Sequence, residues 1–197
     1  MVIGIDYSMS SPAMCVMAGP TIEQSMFYYL TSNKKLVGNW DNAIGVEHKE
    51  YYSEQERYDN IAEFFLNKIP IRDTPPKIYI EDYSFGSTGR VFHIAENAGL
   101  LKYKLWEVGY NFNTIAPSVI KKFATGKGNA DKQKMYEAFV SETGKDIVKY
   151  YSKSGTLGSP VTDIVDSYYI AKYGYQLANN KEGTPNAGSD SKKFKTE

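Results

Sequence analysis

One cysteine, Cys15, stands among 197 residues, which excludes an internal disulfide and any multi-cysteine metal site. Histidine is nearly as scarce, with only His48 and His93. No apolar run approaches the roughly 20 residues needed to span a bilayer. The N-terminus enters a strand pattern at once, without a cationic segment or a cleavable apolar stretch, so a cytoplasmic protein with no membrane partner is expected. Excess charge of either sign is also missing. Lys plus Arg and Asp plus Glu stand at 23 each, so net charge points to no polyanionic partner, although a balanced total can hide a one-sided distribution. What is present is ordinary for a globular chain: 42% hydrophobic and 23% charged residues, enough for one well-filled domain. The 17 tyrosines suit stacking surfaces and a large core equally well.

Residues 2–7 read as a buried strand, 13–18 as a second and 25–30 as a third, separated by turn residues, so the three form an antiparallel meander. Residues 31–50 are polar without a clear period, and Tyr51-Tyr52 reads as the close of a further short strand. Ser53-Glu54-Gln55-Glu56 resembles a capping box. Tyr58, Ile61, Ala62, Phe65 and Ile69 then recur at helical spacing up to Pro70. Pro75-Pro76 introduces a strand ending at Glu81. A long helix is expected over 91–108, a short strand over 111–115, and helices from Pro117 to near Gly126 and over 130–143. Residues 144–158 read as a polar connection. Ser159-Pro160 then reads as a cap and first position of a helix to about Leu177. The expected domain is 1–178, with 179–197 a disordered tail poor in apolar residues. Strands mixed with crossover helices imply an α/β fold, a mixed five-stranded sheet flanked by helices with the first strand near its centre.

Four carboxylates carry the chemistry. Asp6 ends the first strand and Glu81 ends the Ile78-Tyr79-Ile80 strand, while Asp163 and Asp166 lie three apart at the start of the last helix. An acid at the end of a buried apolar strand is costly to desolvate unless it is paired or holds a cation. Asp6 meets Glu81 if their strands are neighbours, about 4.8 Å apart. The spacing of Asp163 and Asp166 puts both on one helical face. Gathered around one point, the four would repel, and two Mg²⁺ ions relieve that repulsion while cleaving a phosphodiester. Each acid also has a plainer reading: a turn or cap residue for Asp6, a helix-terminal charge for Asp163, a solvated face for Asp166. Asp82 competes with Glu81, but strand alternation turns it to the opposite face.

Residues 120–132 are the second informative stretch. Lys121, Lys122, Lys127 and Lys132 surround the Gly126-Lys127-Gly128 turn ahead of a helix, a plausible phosphate cradle. Between Lys121 and Lys153 eight lysines face four acids, a local excess of four. The plainer reading is a helix joint with a solvated basic face. It is not a nucleotide P-loop, because Gly-Lys-Ser/Thr is absent. In the loop 83–90, Tyr83 and Phe85 could stack on an exposed base, with Arg90 nearby, or could cap the core. His93 reads as a packing residue, and His48 lies in a stretch without pattern.

Gly4-Ile5-Asp6, Ile80-Glu81, Gly126-x-Gly128-x-Ala130-x-Lys132 and Asp163-x-x-Asp166 together resemble the RuvC-type Holliday junction resolvases of the ribonuclease H-like superfamily. The length and loops are similar to the bacteriophage branch, which would place the protein in host cytoplasm. The likeness covers about 1–178, and residues 20–75 add little to it. It implies that Asp6, Glu81, Asp163 and Asp166 ligate two Mg²⁺, with Mn²⁺ substituting. It implies that Lys132 contacts the scissile phosphate, and that the loop after Glu81 probes the junction. It further implies a homodimer through the helix at 91–108, whose Ile94, Ala98, Leu101 and Leu105 form an apolar stripe; the plainer reading is that the stripe faces the chain's own sheet. One departure is Ser84, where the family carries an aromatic wedge; Tyr83 or Phe85 would have to substitute.

The expected function is therefore a metal-dependent endonuclease resolving four-way and other branched DNA by paired symmetric nicks, with no small-molecule substrate. A ribonuclease H acting on RNA–DNA hybrids would carry the same acids. A catalytically silent branched-DNA-binding module would gain nothing from a buried acidic cluster. A sugar kinase or actin-like ATPase also begins Gly-Ile-Asp, but needs two such domains.

Overall fold

The protein is described by a computed structural model covering residues 1–82, 91–152 and 155–182. Its frame is one mixed sheet of seven strands. Val2–Asp6 (β1), Ala13–Met17 (β2) and Ser25–Thr31 (β3) form the expected antiparallel meander, with Ile5 opposite Met14 and Asp6 opposite Ala13. Lys77–Glu81 (β6) lies parallel to β1, and Phe112–Ile115 (β7) parallel to β6.

The remaining two strands overturn the expected count of five. Gly38–Trp40 (β4) and Ala43–Glu47 (β5) come from the stretch without a clear period, and the order across the sheet is β4-β5-β3-β2-β1-β6-β7. They are hard to see in the sequence because β4 has three residues and Gly45 interrupts the apolar alternation of β5. Gly45 is there for space: a Cβ on it would sit 2.4 Å from the Tyr29 ring. Tyr51 and Tyr52, expected to close a strand, belong to none; Tyr52 is 92% exposed.

The helices follow the periodicity more closely. Glu54–Leu66 (α1) is capped as read: Ser53 Oγ accepts from Glu56 N at 3.2 Å, and Glu56 Oε2 reaches back to Tyr52 N at 2.8 Å. Val91–Glu107 (α2) and Pro117–Thr125 (α3) match expectation, and α3 ends on Gly126 in the left-handed region. Lys132–Thr143 (α4) starts two residues late because Asp131 caps it, accepting from Lys134 N at 2.9 Å. A short turn, Val148–Tyr151 (α5), interrupts the polar connection. The last helix, Val161–Glu182 (α6), begins one residue after Pro160 and runs past its expected end. Among the described residues no helix is long and apolar enough to cross a membrane.

Two cores sandwich the sheet. Ile3, Ile5, Met14, Leu30, Ile78 and Ile80 face α1 and α2, whereas Val2, Cys15, Phe27 and Tyr79 face α6 with α3 and α4 behind it. Buried α6 crosses the strands at glycine-sized clearances. A Cβ on Gly4 would lie 2.2 Å from Ala171 N and 2.5 Å from Ser167 O, and one on Gly174 would lie 2.3 Å from the Tyr79 ring. This close approach fixes where the first turns of α6 stand relative to the end of β1.

Candidate active site

The pairing directions bring the C-terminal ends of β1, β3, β5, β6 and β7 to one edge of the sheet. Asp6 and Glu81 lie there. Ile5 pairs with Ile80, so the next residues stand side by side on adjacent parallel strands and share the face that carries Gly4 and Tyr79. Ser167 packs over Gly4, so Asp166, the residue before it, and Asp163, about one turn earlier, lie above that edge. Asp6 and Asp163 are buried, Glu81 and Asp166 half-buried.

Electrostatics ties the four into one cluster. Burial first, and then the charges of Glu81, Asp166 and Asp163, holds the Asp6 carboxyl well above the usual carboxylate range, with Lys132 opposing. Glu81 is pushed up to about 7 by burial and by Asp166, against the pull of Lys121 and Lys132. Asp166 is pushed up to about 6 by burial and Asp163, against Lys132 and Lys121. Such a group binds protons at neutral pH unless a cation takes their place.

The residues fit a hard divalent ion on two counts. Every candidate donor is a carboxylate oxygen, the type that Mg²⁺ selects. Asp163 Oδ2 is also buried without a hydrogen-bond partner, a costly state that an ion would relieve. The geometry is nevertheless open: among the described residues no three His, Cys, Asp or Glu side chains form a group set to hold a metal. Carboxylates repel one another, and only a cation draws them to ligating distance.

Two lysines flank the cluster. Lys132 opens α4 and donates from Nζ to Thr162 Oγ1 at 3.2 Å, which anchors it beside Asp163. Lys121 acts on both Glu81 and Asp166 through its charge. Lys122 and Lys127 are exposed farther along α3 and its C-terminal turn, and neither is brought into the cluster. Tyr83, Phe85 and Arg90 lie outside the described residues. Asp82 follows directly on β6, its backbone N–H donating to Ile115 O at 2.9 Å, and it borders the same edge as Asp6 and Glu81. His93, read as a packing residue, is instead exposed, with Nδ1 hydrogen-bonded to Tyr58 OH at 3.0 Å.

Three residues at this edge escape sequence reasoning. A cleft of about 300 Å³ opens beside Asp6 and Glu81 on the α1/α2 side, and Arg57 and the buried Asn97 line it. His48, which carries no sequence pattern, donates from Nε2 to the Ser10 carbonyl at 3.0 Å in the turn after Asp6. Spacing along the chain gives no sign of any of these contacts.

The dimer stripe requires correction. Ala98, Leu101 and Leu105 are buried against the chain's own sheet, and only Ile94 among the four stays partly open. Besides Val91 at its start, the exposed large apolar residues of α2 are Phe92, Tyr103 and Trp106, on a different face.

No family model matches the sequence, and no curated protein matches it. Solved structures do match. Thermus thermophilus RuvC in complex with a Holliday junction substrate superposes with a TM-score of 0.59 at 16% identity, over 90% of this chain and 95% of that one. A further Thermus thermophilus RuvC structure gives 0.56 at 17%, over 90% and 96%. The yeast mitochondrial Holliday junction resolvase Ydc2 gives 0.51 at 15%, over 92% and 81%. With its mixed sheet, crossing α6 and near end-to-end coverage, the chain has the α/β ribonuclease H-like fold of RuvC.

Proposed function

We propose that this protein is a divalent-metal-dependent endonuclease that resolves four-way DNA junctions by paired symmetric nicks. The observation that carries the reading is the joining of Asp6 and Glu81 on adjacent strand ends with Asp163 and Asp166 of α6, in one buried cluster whose members raise each other's pKa. These four side chains would hold two Mg²⁺, which when bound activate water for attack on phosphorus and stabilise the departing 3′ oxygen. The products are a 5′-phosphate and a 3′-hydroxyl. Burial of Asp6 and Asp163 keeps water away from the donors and strengthens their pull on a cation. Lys132, held against Thr162, and Lys121 supply positive charge where a phosphate would enter, so the strand meets ammonium groups before it meets the acids.

Support for a junction over an RNA–DNA hybrid comes from the resemblance of the motifs and from near-complete coverage of RuvC, one copy of which is bound to a junction. The described residues form a single seven-stranded sheet, whereas a sugar kinase or actin-like ATPase is built on two such domains. Two symmetric nicks need two sites, so the active form is a homodimer. Its contact is the exposed α2 face bearing Phe92 (82% exposed), Tyr103 and Trp106 (69% exposed), with Gly99 leaving open space between them.

The test is side-by-side cleavage of four-way junctions, splayed duplexes and RNA–DNA hybrids by the wild type and Asp6→Asn. Nicking of the junction should disappear in Asp6→Asn while gel-shift binding persists. Preferred cutting of hybrids, or nicking that survives the substitution, overturns the proposal.

A further inference from the structure

The turn that leaves Asp6 is held from outside its own hairpin. Tyr7–Pro12 joins β1 to β2, and two consecutive carbonyls within it are each capped by a distant side chain. Arg57 Nη2, from the first turns of α1, donates to Met9 O at 3.0 Å. His48 Nε2, just beyond β5, donates to Ser10 O at 3.0 Å. The turn adds one local bond, Ser11 N to Ser8 Oγ at 3.0 Å, and Leu30 N donates to Pro12 O at 3.1 Å. Arg57 is itself held: its guanidinium lies 5.2 Å over the Tyr51 ring and 3.6 Å from the Glu54 carboxylate, and its side chain is 21% exposed. It also borders the cleft beside Asp6 and Glu81.

We propose that Arg57 and His48 act as a clamp that keeps Asp6 in the acid cluster, making them positioning residues for metal binding. Three neighbouring carboxylates, Glu81, Asp166 and Asp163, oppose the charge of the buried Asp6. Movement of the end of β1 and the turn behind it would relieve that repulsion by taking Asp6 out of the cluster. Hydrogen bonds from a charged guanidinium to a shielded carbonyl resist such movement better than bonds between neutral groups. Two bonds from two different elements make the restraint independent of the hairpin. The inference rests on reading the cluster as a metal site.

The experiment measures Mn²⁺ binding to the full chain without DNA, by electron paramagnetic resonance, in wild type, Arg57→Gln, Arg57→Lys and His48→Ala. Hydrogen exchange at the Ser11 amide is read in the same samples. Arg57→Gln and His48→Ala should each weaken Mn²⁺ about tenfold, the equivalent of roughly one lost hydrogen bond, and should speed exchange at Ser11. Arg57→Lys, which retains a charged donor for Met9 O, should recover most of the affinity. Junction affinity in Ca²⁺ should stay within about twofold for all variants, whereas a role for Arg57 as a phosphate contact would weaken it and overturn the clamp. Unchanged Mn²⁺ affinity in folded Arg57→Gln and His48→Ala overturns the clamp alone. A wild type that binds no Mn²⁺ overturns the metal reading together with it.

Discussion

If the four acids form one buried cluster, the metal-free protein should lose stability as pH rises through neutrality, and magnesium should restore it only at the alkaline end. The sign follows from the direction of the shifts. Folding raises the Glu81 pKa from 4.5 to about 7 and that of Asp166 from 3.8 to about 6, mainly through burial and then through neighbouring carboxylates. The folded state therefore holds protons that the unfolded chain has released. Through these two groups stability is fullest below about pH 4 and falls between there and about pH 7. One pH unit across that window is worth about 1.4 kcal/mol per group, so Glu81 sets a scale of about 3 kcal/mol. The acids ionise together, so this is the size for the cluster and not a sum over its members. For a chain of this length the melting temperature should fall by roughly 6 to 12 °C between pH 5 and pH 8 in EDTA. His48 works in the other direction, because burial lowers its pKa below 6.5 and its protonation costs stability as pH falls. Comparison with Glu81→Gln removes that contribution, since both proteins carry His48. The variant should show a shallower slope, and saturating Mg²⁺ should raise the wild-type melting temperature strongly at pH 8 and little at pH 5. Parallel slopes for wild type and Glu81→Gln, or equal stabilisation by Mg²⁺ at both pH values, would refute the reasoning.

Two further outcomes are expected. Gly4→Ala forces a Cβ to within 2.2 Å of the Ala171 backbone, so α6 must move off β1; a loss of about 3 kcal/mol or more in urea unfolding is expected, and a loss below about 1 kcal/mol would show that the helix is not seated as described. Trp106→Glu should convert a dimer into a monomer of half the mass in light scattering at micromolar concentration, with the melting temperature of the monomer nearly unchanged because the residue packs on nothing buried; a dimer that persists places the interface elsewhere.

The acids were legible in the sequence because each sits at a point where a local rule is broken. Asp6 and Glu81 end runs of β-branched and apolar residues, and Asp163 and Asp166 share a face of a helix start that also carries Val161, Ile164 and Val165. Burial makes such placements expensive, so their presence signals a compensating role. Lys132 was legible for a related reason, standing at a helix start after a glycine turn. The helix at 91–108 shows the limit of the same method. A period of 3.6 marks one apolar face, and nothing in the period says whether that face meets the chain's own sheet or another molecule. Ala98, Leu101 and Leu105 meet the sheet.

Part of what is illegible at the site, the contacts to the turn after Asp6, traces to the insertion of β5 beside β3. Had the chain gone directly from β3 to α1, β3 would have been the edge of the sheet. No strand end would then have carried residue 48 to the turn after Asp6. Because β5 runs parallel to β3, its C-terminal end reaches the same edge as Asp6, and the backbone bond from His48 N to Thr31 O at 3.2 Å continues that pairing one residue further. The chain then turns through Tyr51 and Tyr52 into the capped start of α1, which sets Arg57 over the same turn from the other side. Sheet order decides these contacts, and order depends on side-chain fit across strands that are distant in sequence, such as Gly45 against Tyr29. Local pattern therefore locates the groups that bear charge in the cluster, while the neutral and cationic groups that hold its backbone come into view only once the order of the strands is known.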